Sequence, residues 1–219
     1  MEIHQVNHIS YTNYNRKCNC IFRNLKISSD IETLQKKQQN KRQILGIIFH
    51  RLLKDSIKNI KACDDFEYLE QIYRNIENQI KDELNGNDDP LGSTISFWPE
   101  RESILRSAQL YNRIKDQSSI NREVVLFSAD KHVKGIIDEI LENKNRISLI
   151  EYKFKNEIEG LYNEDYYNQL HVYAGLIYDN YKKFPDEIII RGLDGCQIDI
   201  QISKNRSEEI ISKMKSYKE

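Results

Sequence analysis

The chain has 219 residues, 31% of them charged and 39% hydrophobic, with a formal net charge of −1, so it holds enough Ile, Leu, Tyr and Phe for one sizeable domain or a core with an added subdomain. No run approaches the ~18 apolar residues of a membrane span, and "MEIHQVNHIS" has no basic-then-apolar signal pattern, so a cytoplasmic protein is expected. Four scattered cysteines (Cys18, Cys20, Cys63, Cys196) do not suggest a disulfide framework.

Along the chain, residues 28–40 are polar and read as a connection or the start of a helix. From Lys41 to about Cys63, Ile44, Ile47, Ile48, Leu52, Ile57 and Ile60 recur as a helical stripe. A second stripe runs through Phe66, Leu69, Ile72, Tyr73, Ile76, Ile80 and Leu84 before "NGNDDPLGST" breaks it. Pro99 opens a third helix carrying Ile104, Leu105, Ala108, Tyr111 and Ile114. After Asn121 the period changes to that of strands. "REVVLFS", "HVKGIIDEILE" and "RISLIEYKF" are β-rich runs, the last two joined by a short turn. A helix over roughly Asn163–Lys182, the strand pair "DEIIIRGL" and "CQIDIQIS", and a final helix from near Asn205 complete the order. This pattern predicts an α/β domain on a mixed sheet, with a helical N-terminal part packed against it.

Charge is unevenly distributed. Residues 1–62 hold 12 Lys/Arg against 4 Asp/Glu, a net +8, and the remainder a net −9. Such asymmetry suits a protein that holds a polyanion on one surface and needs carboxylates elsewhere, or else a solvated Lys-rich helix face. In the first case Lys36, Lys37, Lys41 and Arg42 would meet phosphates.

The sharpest signal is "GIIDEILENKNRISLIEYKFK", Gly135 to Lys155. With the hairpin turn centred near Lys144, residues whose numbers sum to 289 face each other, which brings Asp138 opposite Glu151. Cross-strand Cβ atoms lie ~4.5–5.5 Å apart, and two carboxylates that close repel unless a cation joins them. A hard divalent ion with oxygen ligands is the natural occupant. Lys153, two residues past Glu151, falls on the same face, where an ammonium can orient a water and stabilise charge at a reacting phosphate.

These residues resemble the G-x-x-D…E-x-K core of PD-(D/E)XK nucleases, as "GIID" and "EYK". "QLHVY" is similar to the Q-x-x-x-Y signature of the RecB-type branch, at Gln169 and Tyr173, and "LGIIFHRLL" to its G-x-x-x-H helix, at His50. "ISYTNYNRKCNCIF" resembles its opening segment, and Glu123 matches a glutamate of the first core strand. The chain departs from the cluster-bearing relatives, such as CRISPR-associated RecB-like exonucleases. Cys18 is matched near the C-terminus by Cys196 alone, which argues against an iron–sulfur cluster. No GxxxxGK[ST] phosphate loop is present, so unwinding would come from a partner such as a helicase.

The resemblance implies a restriction-endonuclease-like mixed sheet flanked by helices. It also implies a division into a mainly helical part, 1–121, contributing His50, and a nuclease core, 122–219. His50, Asp138, Glu151 and the carbonyl of Tyr152 would hold Mg²⁺ or Mn²⁺. Lys153 would position the attacking water, and Gln169 and Tyr173 would support the site or contact the substrate backbone. The expected activity is metal-dependent cleavage of DNA, on single strands or free ends in the manner of an exonuclease. The alternative is a nuclease-fold subunit that binds DNA or a protein in a larger repair, CRISPR or defence assembly. His4, His8, His132 and His171 match nothing and are expected to be structural.

Overall fold

Each Ile- and Val-rich run predicted as a strand pairs with its neighbours in one mixed sheet of six strands. The computed structural model describes residues 9–10, 29–85, 99–113, 119–155, 157, 159–161 and 163–216. Cys18 and Cys20 lie outside them, as do His4, His8 and all but two residues of the opening segment. The elements are β1 (Ile9–Ser10), α1 (Ser29–Ser56), α2 (Phe66–Asn85), α3 (Arg101–Asn112), β2 (Ser119–Phe127), β3 (Val133–Asn143), β4 (Arg146–Tyr152), α4 (Glu164–Tyr181), β5 (Glu187–Arg191), β6 (Gln197–Asp199) and α5 (Lys204–Ser216). The polar segment 28–40 belongs to α1 from Ser29 onward.

The first apolar stripe ends sooner than its periodicity suggests. Ile44, Leu45, Ile48, Phe49, Leu52 and Leu53 are buried, whereas Ile47 and Ile60 are exposed. α1 stops at Ser56 and a short 3-10 turn takes over at Ile57, so Ile60 is no longer carried by that helix.

β2 and β4 run antiparallel to β3, β5 is parallel to β4, and β6 is antiparallel to β5. The β3–β4 register is the predicted one, with Glu139 opposite Ile150 and Ile140 opposite Leu149. Lys134 pairs with Phe127 on one side and Ser10 on the other, so β1 lies on the same side of β3 as β4, beyond the point where β4 leaves. The ladder between β3 and β4 ends at Glu139–Ile150. Asp138 and Glu151 therefore stand at the fork where the two strands part.

Alternation along β4 divides the core in two. Ile147 and Leu149 join Val133, Ile137, Ile140 and the buried faces of α4 and α5. Ile150 and Tyr152 point the other way, into a core shared with α1, α2, α3 and Leu193. Helices thus cover both faces of the sheet, as an α/β layer architecture requires. On β3 the alternation slips: Ile137 and Ile140, three apart, reach the same core. Across the ladder Glu123 sits at φ 51°, a left-handed conformation uncommon for a non-glycine residue. The pleat is interrupted beside Asp138.

That slip turns Glu139 inward. Its carboxylate accepts from Arg122 Nε, and Tyr152 donates its hydroxyl to it at 3.1 Å. Arg191 Nη1 lies 3.9 Å from the other oxygen. Arg122 also donates to the carbonyl of Leu53, near the end of α1. The Arg122 and Glu139 side chains are 1% and 2% exposed, so each charge depends on the other. One buried ion pair thereby ties helix α1 to strands β2, β3 and β4.

Removing one member of such a pair strands the other, at a cost of about 3–5 kcal/mol, whereas an apolar replacement of both is far cheaper. Arg122→Met should destabilise by about that amount in urea denaturation, and Arg122→Met/Glu139→Leu should regain most of the loss. Equal destabilisation by the single and double variants would contradict this account.

Candidate active site

Three elements meet at the fork between β3 and β4. Phe49 packs in the helix-side core of α1, and its neighbour His50 reaches the fork. His50 Nδ1 lies 3.3 Å from Asp138 Oδ1. The second Asp138 oxygen accepts the backbone N–H of Tyr152 at 2.8 Å, a bond that exists only because β4 has left the ladder there. The Tyr152 ring packs edge-on against Phe49 and His50, with its hydroxyl on Glu139. One residue thus connects the buried ion pair to the carboxylate at the fork.

Glu151 faces helix α4. Lys153 Nζ donates to Glu151 Oε1 at 2.7 Å and to Gln169 Oε1 at 3.0 Å, and Gln169 Nε2 donates to the Tyr173 hydroxyl at 2.7 Å. The Lys153 ammonium also lies 4.4 Å over the ring of Tyr166. Gln169 and Tyr173, one turn apart, project from the same face of α4. Asn163 caps that helix by accepting the N–H of Asp165 at 2.8 Å. Gly135 explains how α4 comes so near: a Cβ there would stand 2.6 Å from Leu176 Cδ1 and 3.0 Å from the Tyr173 ring. Only a residue without a side chain leaves room for Tyr173 to reach the site.

The electrostatics follow from burial. Burial raises the Glu151 carboxyl to about 7, helped by the Asp138 charge and opposed by Lys153. Burial also pushes Asp138 upward, but the His50 charge and hydrogen bond outweigh it and hold Asp138 below the usual carboxylate range. For His50 burial works downward, and the Asp138 charge and hydrogen bond overcome it, raising the imidazole. Lys153 is likewise lowered by burial but raised overall by Glu151 and Asp138.

The donor set suits a hard divalent cation. Two carboxylates and an imidazole stand within electrostatic reach of one another, and Glu151 Oε2 is buried with no hydrogen-bond partner. An orphaned buried carboxylate oxygen is costly unless something positive completes it. Among the described residues no group of three or more His, Cys, Asp and Glu side chains is arranged to hold a metal ion as it stands, and the Lys153 ammonium holds the other Glu151 oxygen. A cation completing Glu151 Oε2 would therefore draw further ligands from water or substrate.

Glu123, matched by sequence to this machinery, pairs instead with Lys54 of α1. His132 is exposed and pairs with Asp130 at 3.6 Å, and His171 is buried with Nδ1 2.7 Å from the Tyr167 carbonyl, so neither reaches the fork. Of the basic residues expected to meet phosphates, Lys41 is engaged with Glu100 at 2.8 Å. The side chains of Lys36 and Lys37 lie outside the described residues. Sequence reasoning missed Arg122 and Glu139. The local pattern carried no signal for them, because the partners of each lie on other elements.

No curated protein matches the chain. Among solved structures, that of SSO0001 aligns over 97% of this chain and 77% of its own at 12% identity, with a TM-score of 0.34. No helix among the described residues is long and apolar enough to cross a membrane. The family model of the PD-(D/E)XK nuclease superfamily matches residues 8–215, nearly the whole chain and every element of the site. The restriction-endonuclease-like sheet is therefore that of a family, and the chain belongs to the PD-(D/E)XK nuclease superfamily.

Proposed function

We propose that the protein is a metal-dependent DNA nuclease of the RecB-type branch, acting on single-stranded or free-ended DNA. The observation that carries this reading is the chain of contacts Glu151–Lys153–Gln169–Tyr173, closed on the carboxylate fork. His50, Asp138, Glu151 and the Tyr152 carbonyl would hold Mg²⁺ or Mn²⁺. The bound cation supplies Lewis-acid polarisation of the phosphate and lowers the pKa of a bound water.

The remaining work falls to side chains. Lys153 is kept charged and fixed in direction by Glu151, Gln169 and the Tyr166 ring. Its ammonium orients the attacking water and donates to the phosphate oxygen on which charge develops, an interaction stronger in the transition state than in the ground state. Gln169 spends its carbonyl on Lys153 and its amide on Tyr173, so it sets the position of the ammonium without touching the reacting atoms. The Tyr152 N–H and His50 hold the Asp138 carboxylate from two directions. A helicase or other assembly subunit would deliver the strand.

Purified protein should cut single-stranded or free-ended DNA with Mg²⁺ or Mn²⁺, and EDTA should stop it. Asp138→Ala and Glu151→Ala should lose metal affinity in calorimetric titration. Lys153→Ala should keep the metal and lose about 10²–10³-fold in kcat, the range for one transition-state donor. Inactivity of the wild type with every divalent metal on every DNA and RNA form would favour the binding-subunit role instead.

Metal must also displace the proton that burial favours on Glu151. That carboxyl titrates at about 7, so its metal-ready form predominates above neutral pH and is lost as pH falls through 7. Apparent metal affinity should drop roughly tenfold per pH unit below that point, with proton release on binding. A titration showing equal affinity at pH 8 and pH 6 would refute the coupling.

A further inference from the structure

We propose that a cavity beside the fork is a nucleotide subsite, holding one residue of the substrate strand next to the phosphate that is cut. The inference rests on the nuclease reading above and specifies which side of the site the strand occupies. The cavity has a volume of about 590 Å³, within the range of small-ligand sites, and its lining includes Arg42, Phe154 and Lys155.

Two routes join it to the fork. Along β4, Phe154 and Lys155 directly follow Lys153, and the Lys155 N–H donates to the Lys153 carbonyl at 2.8 Å, turning the chain towards the cavity. Along α1, Arg42, Gly46 and His50 recur every four residues and share a face. Eight residues of helix place Arg42 about 12 Å from His50 along the axis. Between them a Cβ on Gly46 would meet nothing within 4 Å among the described residues, which leaves space on this face of the helix between the imidazole and the cavity.

The cations there differ from their neighbours. Lys41, Lys54, Arg101 and Lys153 each hold a carboxylate. Arg42 and Lys155, both on the cavity wall, have no ion-pair partner among the described residues, which leaves them for a phosphate. The acidic groups of the wall are partly committed: Glu100 is bound by Lys41, and Asp194 accepts from Ser103 Oγ at 2.7 Å. Their remaining lone pairs, with those of Glu157, suit the amino groups of a base rather than a second phosphate. Phe154 and Leu193 supply apolar walls against which a base can lie, and a stacked base binds without regard to sequence.

Single-stranded oligonucleotides carrying one abasic position, moved stepwise past the cut, test the subsite. For the wild type, one position beside the cut should raise KM about tenfold when its base is missing, and should weaken binding in EDTA likewise. Phe154→Leu should raise KM for the intact strand and abolish that discrimination. Arg42→Ser/Lys155→Ser removes two charges near the surface. In EDTA it should flatten the log–log salt dependence of oligonucleotide binding by roughly 0.7 for each phosphate that is no longer neutralised. A flat abasic profile, or an unchanged salt slope in the charge variant, would overturn the subsite while leaving cleavage intact. If the wild type cuts nothing yet the abasic and salt effects on binding both appear in EDTA, the subsite stands and the nuclease reading falls.

Discussion

A single buried ion pair holds the two layers of this protein in register. Glu139 and Arg122 are both almost wholly removed from water, and their contacts reach α1 at Leu53, β4 at Tyr152 and β5 at Arg191. Burying such a pair is not an efficient way to gain stability, because desolvation offsets much of the attraction. It does fix geometry. A charge that cannot be left alone allows few arrangements of the elements that meet at it. Here that geometry decides where α1, which carries His50, and strands β3 and β4, which carry the carboxylates of the fork, lie.

Tyr152 transmits the constraint to the site. Its hydroxyl is committed to Glu139, its ring packs against Phe49, His50 and Tyr111, and its N–H reaches Asp138. The middle residue of "EYK" is thus a core residue on one face of the strand, while Glu151 and Lys153 face the other. A period of two makes this division unavoidable: the strand cannot present Glu151 and Lys153 to α4 without presenting Tyr152 to α1.

The site is also strongly polarised. His50 with Asp138 and Lys153 with Glu151 form two opposed pairs, so the fork is electrostatically satisfied except at Glu151 Oε2. A cation entering there competes with groups that already do part of its work. The two pairs let four titratable groups stand side by side at the fork, with burial favouring the protonated form of Glu151.

Much of this was determined by local sequence. The period of β3 and β4 and the short turn at Lys144 predict the register that places Asp138 opposite Glu151, because a slip of one residue would expose an entire hydrophobic face. The i,i+4 spacing of Gln169 and Tyr173 puts them on one side of α4 wherever that helix lies. What tertiary structure alone decided is everything that needs a partner far along the chain. Glu139 reads as an ordinary strand-surface acid until Arg122 and Tyr152 surround it. Lys41 and Arg42, adjacent and both basic, have different fates, since one meets Glu100 and the other faces the cavity. Periodicity specifies which face a residue occupies, but the neighbour on that face, and hence whether a charge is paired, is set by how the layers come together.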